Sequence, residues 1–382
     1  MTSPRFTVER LAWQDQPLGE ITLPAGVLRA TLGLGSGLTR RPGDPPGRLW
    51  ALGDRGPNLS IKQAREDYGV EGLDHLREVA GAKILPMPQI GPSLSELQIT
   101  GDRIERLRTL RLRVASGAPV TGLPLPGGAE VSMEPLFDVE GRPLAADVNG
   151  ADSEAVAALA DGSFWVAEEY GPSLMKVSEQ GVVETRWTPQ GLAWPGAVDL
   201  LPAIAGRRRL NRGFEGLAVS ADETRLYAGF QSAFEGDEAG AVRIWTLDAA
   251  SGALLAEHSY PFDPPDSFLR DLEAGPVGPA DLKIGELLCV GEGRLLVLER
   301  ISHTSKVYVV DLRGAGGNLR KELVFTSDDA PQVAPDLEGM ILLSDREILL
   351  VNDNDFGIEG VETRFFKVTL ERPLQSPAGG PI

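Results

Sequence analysis

Five glutamates recur at equivalent places along the chain: Glu96, Glu154, Glu215, Glu286 and Glu338. Each opens a short apolar run, and Gly37 takes that place in one further copy. A second polar set follows at a nearly constant interval, with Glu168 14 residues after Glu154, Glu299 13 after Glu286 and Asn352 14 after Glu338. Asp54 with Arg55, Glu169, Gln231, Arg300 and the run Asn352 to Asp355 belong to the same set. If each run is a strand and the chain returns antiparallel, both sets reach one end of the same sheets. Two bare carboxylates about 7 Å apart repel by about 2 kcal/mol at an effective dielectric near 20. Several such pairs call for raised pKa values or a bound cation. An oxygen-only donor set suits a hard ion such as Ca²⁺, with Glu96, Glu154, Glu215, Glu286, Glu338 and Asn352 as candidate ligands. Zinc fits less well, because His75, His258 and His303 lie far apart and no HExxH or CxxC exists. A glutamate at a repeated strand start can instead serve packing, by accepting backbone N–H groups of an adjoining sheet, and that alternative stays open. Asn352 to Asp355 matches a calcium loop in composition only, since Gly357 lacks EF-hand spacing.

Three arginines, Arg55, Arg212 and Arg300, stand beside members of these sets. They are expected at the same mouth, where they could hold an anionic substrate; surface or inter-sheet ion pairing is the competing role. No GxSxG elbow is present, and the GLGSGL stretch from Gly33 leads into TRRPGDPPG instead of a helix. A serine-triad esterase and a phosphate-binding loop are both disfavoured.

The elements that must position these residues come from an internal repeat. SEAVAALADGSFWVAEEY from Ser153, FEGLAVSADETRLYAGFQ from Phe214 and LEGMILLSDREILLVNDN from Leu337 each read as strand, turn and second strand. GELLCVGEGRLLVLER from Gly285 is a fourth copy, SGLTRRPGDPPGRLWALGD from Ser36 a fifth and SELQITGDRIERLRTLRLR from Ser95 a weaker sixth. Outer strands follow as LMKVS, VRIWTLD, VYVVDL and FFKVTL. This inventory predicts an all-β protein, a β-propeller of six blades with seven possible, as one domain over residues 1–382. The early strand FTVERLAW is expected to complete the last blade. The insertion at 59–81 has helical spacing and reads as a surface helix, or else a lid.

The composition agrees. The chain has 382 residues, a formal charge of −18, 42% hydrophobic residues, 45 Gly and 29 Pro. It is too apolar for disorder and too acidic for a nucleic-acid binder. The single cysteine, Cys289, cannot form an internal disulfide and is expected in the core. The N-terminus lacks the apolar region of a signal peptide and no segment has the length of a membrane span, so the chain as written reads as unexported.

The blocks DSEAVAALADGSFWVAEEYGPSL, NRGFEGLAVSADETRLYAGFQSA, IGELLCVGEGRLLVLER and DLEGMILLSDREILLVNDNDFG resemble those of the phytase-like propeller family, the "esterase-like activity of phytase" domain, over about Leu32 to Leu370. That resemblance implies a propeller with phosphoester or ester hydrolase activity, and members are commonly exported. The matching positions are Glu154, Glu168, Glu169, Tyr170, Arg212, Glu215, Glu299, Arg300, Glu338, Asn352, Asp353 and Asn354. Together with the spacing, it suggests Glu168, Glu169, Glu299 and Asp353 for catalysis and Arg55, Tyr170, Arg212 and Arg300 for substrate binding. The alternative is a non-catalytic propeller, a binding platform whose metal ties the blades together. The −18 charge opposes capture of a polyanion such as phytate, so a smaller phosphoester ranks higher.

Overall fold

The computed structural model describes residues 5–127, 132–237, 241–314 and 319–374. Gly/Pro turns cut the apolar runs into short strands, and the strands pair as antiparallel sheets built from consecutive segments. The first blade is Gly37–Thr39, Arg48–Gly53, Ser93–Thr100 and Arg103–Arg111; the second is Ser153–Ala158, Phe164–Glu168, Ser173–Val177 and Val182–Pro189. The third is Phe214–Val219, Arg225–Phe230, Val242–Asp248 and Leu254–Tyr260, and the fourth Lys283–Gly291, Arg294–Arg300, Ser305–Asp311 and Arg320–Thr326. The fifth combines Leu337–Leu342, Glu347–Asn352 and Phe365–Leu370 with the early strand Phe6–Leu11, which pairs Phe6 with Leu370 and Leu11 with Phe365. Chain start and chain end thus share one sheet, as expected.

The innermost strands close a ring. Gly37–Thr39 packs on Ser153–Ala158, that strand on Phe214–Val219, and so through Lys283–Gly291 and Leu337–Leu342 back to Gly37–Thr39. Among the described residues the ring has five blades, which corrects the expectation of six. The weak copy from Ser95 is the outer half of the first blade, since Ser93–Thr100 pairs with Arg48–Gly53. Its alternating charges mark an outer strand with one face in solvent. Apolar clusters fill the seams: Trp50, Phe164 and Val166 between the first two blades, Trp165, Phe214, Trp245 and Tyr308 across the second to fourth, Leu298, Phe325 and Leu350 between the fourth and fifth, and Leu38, Leu49 and Val351 between the fifth and first.

The 59–81 insertion holds one short α-helix, Ile61–Glu66, capped by reciprocal bonds between Ser60 and Gln63, and a single 3-10 turn at Asp74–Leu76. Gly69 and Gly72, at φ +67 and +78, stop the helix from continuing. The segment joins the hairpin Pro17–Leu23/Gly26–Thr31 and a small sheet of Leu59–Ser60, Lys83–Ile84 and Leu136–Phe137. Leu28, Leu59, Leu73, Ile84, Phe356 and Ile358 give this assembly its own core. It forms a cap beside one mouth of the channel. Toward the other mouth a cavity of about 230 Å³ is lined by Leu38, Val156, Leu217, Leu287, Ile341 and the half-buried Cys289. Among the described residues no helix is long and apolar enough to cross a membrane.

Candidate active site at the capped mouth

Three of the five recurrent glutamates are placed alike. Ladder register shifts after Ser153, Phe214 and Leu337, so Glu154, Glu215 and Glu338 are each the extra residue of a β-bulge at the start of an inner strand. A bulge re-aims the side chain out of the regular alternation, and these carboxylates meet at the capped mouth. Asp152 joins them from the residue pair ahead of its bulge, Asp54 from the end of a second strand, and Asp353 from the loop after Asn352. Carboxylate oxygens of Asp54, Asp152 and Glu154 lie within 4.8 Å of one another. This buried acidic cluster could hold a metal ion.

The electrostatics show how crowded the mouth is. Burial pushes the Glu154 carboxyl well above its ordinary range, and Asp152, Glu215, Glu169 and Asp54 push it further. Burial and then Asp152 do the same to Asp54 and to Glu169. Asp353 is raised by burial and by Asp355, Glu338 and Asp54. Burial lifts Glu215, against the pull of Arg300 and a 2.7 Å hydrogen bond from Gln231. Glu338 is pushed up to about 8 by burial despite Arg300. Glu169 Oε2 and Glu215 Oε2 are buried without a hydrogen-bond partner. Oxygen-only donors with unmatched lone pairs fit a hard divalent cation.

Two of the expected arginines are held in ion pairs by their terminal nitrogens, while the Nε of each is buried without a partner. Arg55 is buried and binds Glu134, Asp152 Oδ2 at 3.0 Å and the Tyr170 hydroxyl at 3.4 Å. Tyr170 donates on to Gly122 O at 2.8 Å and so holds this guanidinium in place. Arg300 binds Glu338, Asp336 at 2.9 Å and Glu215 at 3.6 Å. Arg212 sits half-buried beside Glu215 and Glu169, and burial lowers its pKa. Asn211, turned so that its amide nitrogen faces them, donates to Glu169 Oε1 at 2.6 Å and Glu134 Oε2 at 3.1 Å. Gly213 lets this segment cross Glu169 closely, since a Cβ there would overlap the Glu169 backbone.

Other expected site residues lie elsewhere. Glu96 is on the third strand of its blade, paired with Arg48 and with Arg108 at 2.6 Å, away from the mouth. In the fourth blade the bulged residue is Gly285, so Glu286 falls one place further on and is turned into the channel. It accepts the N–H of Leu287 at 2.9 Å and of Leu217 at 3.4 Å, the packing role left open above. Glu168 accepts from Tyr170 N, Gly171 N and Ser173 Oγ and pairs with Arg186 at 3.2 Å, so it stabilises a turn. Glu299 accepts from Tyr260 Oη and Asp263 N at 2.6 Å and Lys321 at 2.7 Å in a network between blades. Asn352 bridges Asp353 O, Glu362 O and Arg364 N, and Asn354 ties Leu32 O to Thr363. Their oxygens are occupied by the fold.

Asp152, Glu134, Asn211, Lys283 and Asp336 carry no role in the sequence reading, yet they stand at the mouth. A signal existed for two of them, the repeated Asp-x-Glu of Asp152/Glu154 and Asp336/Glu338. Glu134 comes from a connection between blades that repeats nowhere, so nothing in the pattern marks it.

Strand pairing and the mouth together define a β-propeller with a buried acidic cluster that could hold a metal ion. The chain belongs to the phytase-like family, described as esterase-like activity of phytase, whose model matches residues 30–356. An uncharacterized secreted protein of Arthroderma benhamiae is 30% identical over 220 residues, covering 50% of this chain and 41% of that protein. Among solved structures, a luciferin-regenerating enzyme aligns with 97% of this chain and 97% of its own at 12% identity and TM-score 0.41. A gluconolactonase from Xanthomonas campestris aligns with 73% of this chain and 68% of its own at 14% identity and TM-score 0.32.

Proposed function

We propose that the protein is a metal-dependent hydrolase of small phosphoesters or esters, working at the capped mouth with Ca²⁺ as its metal. The observation that carries this reading is the meeting of Asp54, Asp152 and Glu154 oxygens within 4.8 Å, beside the unpartnered oxygens of Glu169 and Glu215. Asp54, Asp152 and Glu154 would hold the ion, with Glu215 at its flank; when bound it would polarise an ester or phosphoryl oxygen. Glu169 is the candidate general base. Its Oε1 is fixed by Asn211 and its Oε2 is free to take a proton from water. Asp353 is a second half-buried carboxylate at the mouth, available to protonate a leaving oxygen. Tyr170 and Arg55 act behind these groups by fixing Asp152 and Glu134. The secreted description of the fungal relative supports an exported setting, where calcium is plentiful.

The test is hydrolysis of p-nitrophenyl phosphate and p-nitrophenyl butyrate with calcium and with chelator. Calcium-dependent turnover that falls about 100-fold or more in Glu169→Gln is expected. Calcium binding by calorimetry without any turnover would favour the platform reading, in which the ion only ties blades together.

A further inference from the structure

The mouth opposite the cap is apolar where the capped one is charged. Each inner strand runs away from the carboxylates, and the far ends place Leu38, Val156, Leu217, Leu287 and Ile341 around the cavity of about 230 Å³. Glu286 accepts the N–H groups of Leu217 and Leu287, two of these wall residues, so its side chain lies between the cavity and the acidic cluster. Among the described residues no aromatic side chain lines the cavity, so its walls offer aliphatic contact and no ring to stack on. An apolar cavity of about 150 Å³ holds benzene, so this larger one accommodates a chain of about six to ten carbons. The charged residues described on its rim are Arg40 and Glu223, and they stand at different seams. Arg40 reaches from the first blade to the fifth, where its Nη1 donates to Leu342 O at 3.2 Å and Leu343 O at 3.4 Å. It is half-buried and forms no ion pair among the described residues, so these carbonyls fix the guanidinium without neutralising it. Glu223 is tied at the seam of the second and third blades, where its Oε1 accepts Ala160 N at 2.7 Å.

We propose that the open mouth is a binding site for an aliphatic monocarboxylate, with the alkyl chain in the cavity and the carboxylate on Arg40. A guanidinium held through one terminal nitrogen keeps its remaining N–H groups for two carboxylate oxygens. The carbonyls of Leu342 and Leu343 pre-set its position, so little freedom is lost when the ligand arrives. The formal charge of −18 works against ligands that carry several negative charges. One charge on a hydrocarbon chain suffers least from that field and gains most from these walls, at about fourfold in affinity for each methylene buried. Nothing in this site depends on a reaction at the capped mouth.

Cys289, the single cysteine, stands on the cavity wall and reports whether the cavity is filled. Its alkylation by iodoacetamide in the full chain, followed by mass, is measured with hexanoate, octanoate and octan-1-ol as probes. Octanoate should slow alkylation in a saturable way, about 10-fold or more at saturation, and bind about 10-fold tighter than hexanoate. Octanol, with the same chain and no charge, should bind at least about 10-fold more weakly than octanoate. The rise in melting temperature with each probe should follow the same order. Arg40→Gln should weaken octanoate about 10-fold and leave octanol within a few-fold, and Arg40→Lys should recover most of the loss. Because the wild type alone separates octanoate from octanol, the result does not hang on a variant that folds. Chelating calcium should leave the protection unchanged, since the metal cluster lies at the other mouth. Neither protection nor thermal shift by octanoate would overturn the site, and so would equal binding of octanol or hexanoate, or protection lost with the metal.

Discussion

Glu168 and Glu169 are neighbours with opposite duties. Glu168 is fully enclosed and satisfies three donors and Arg186. Removing it leaves a buried guanidinium and two backbone N–H groups unmatched. Glu168→Ala is therefore expected to lose about 3–5 kcal/mol in urea denaturation, whereas Glu169→Gln should keep its stability and lose turnover. Loss of both properties in both variants would contradict the assignment. Glu286 supplies a pH test. Burial holds its carboxyl well above its ordinary value, so between that value and the raised one the folded chain binds more protons than the unfolded chain. Its contribution to stability is complete below the ordinary glutamate pKa and is lost as pH rises through the raised one. Glu286→Gln removes that loss. Its melting temperature should gain on wild type by about 2 °C or more at pH 8 and by less at pH 5; parallel curves would speak against a protonated Glu286.

At the scale of elements, the repeat made the inner hairpins legible because each carries apolar strands, a polar turn and a glutamate in one register. The blade count is not legible, because Ser95–Arg111 shares the hairpin period without being an inner hairpin, and only its pairing with Arg48–Gly53 distinguishes the two. The bulges were equally hidden. A one-residue slip between Gly285 and Glu286 turns a carboxylate from the mouth into the channel, and no local preference in the sequence marks it. The cap was legible as an insertion but not as a body with its own core, because its parts come from residues far apart in the chain. Phe356, in a positive-φ turn after the fifth-blade loop, joins the cap core. Phe356→Ala should cost about 3–5 kcal/mol. Hydrogen exchange should quicken first in Ile61–Glu66 while the inner strands stay protected; uniform acceleration would mean that cap and ring unfold together.

For the whole molecule, ring closure and charge are linked. Joining Phe6–Leu11 to the fifth blade leaves the five inner strands no means of spreading, so the carboxylates at the mouth are held together by the closed ring as well as by local contacts. The formal charge of −18 adds a general repulsion. A divalent ion at Asp54, Asp152 and Glu154 opposes both. Calcium at 100 times its dissociation constant should stabilise the chain by about 2.7 kcal/mol, seen as a rise in melting temperature. Glu154→Gln separates the two states of the mouth. It removes one repelling charge, so the metal-free variant should melt above metal-free wild type, and it removes one ligand, so its calcium shift should shrink. A mouth built only for packing gives the first effect without the second. Wild-type protein that shows neither binding heat nor thermal shift at millimolar calcium would take this ion out of the site, and the raised carboxyls would then keep their protons as the means by which the closed ring tolerates them.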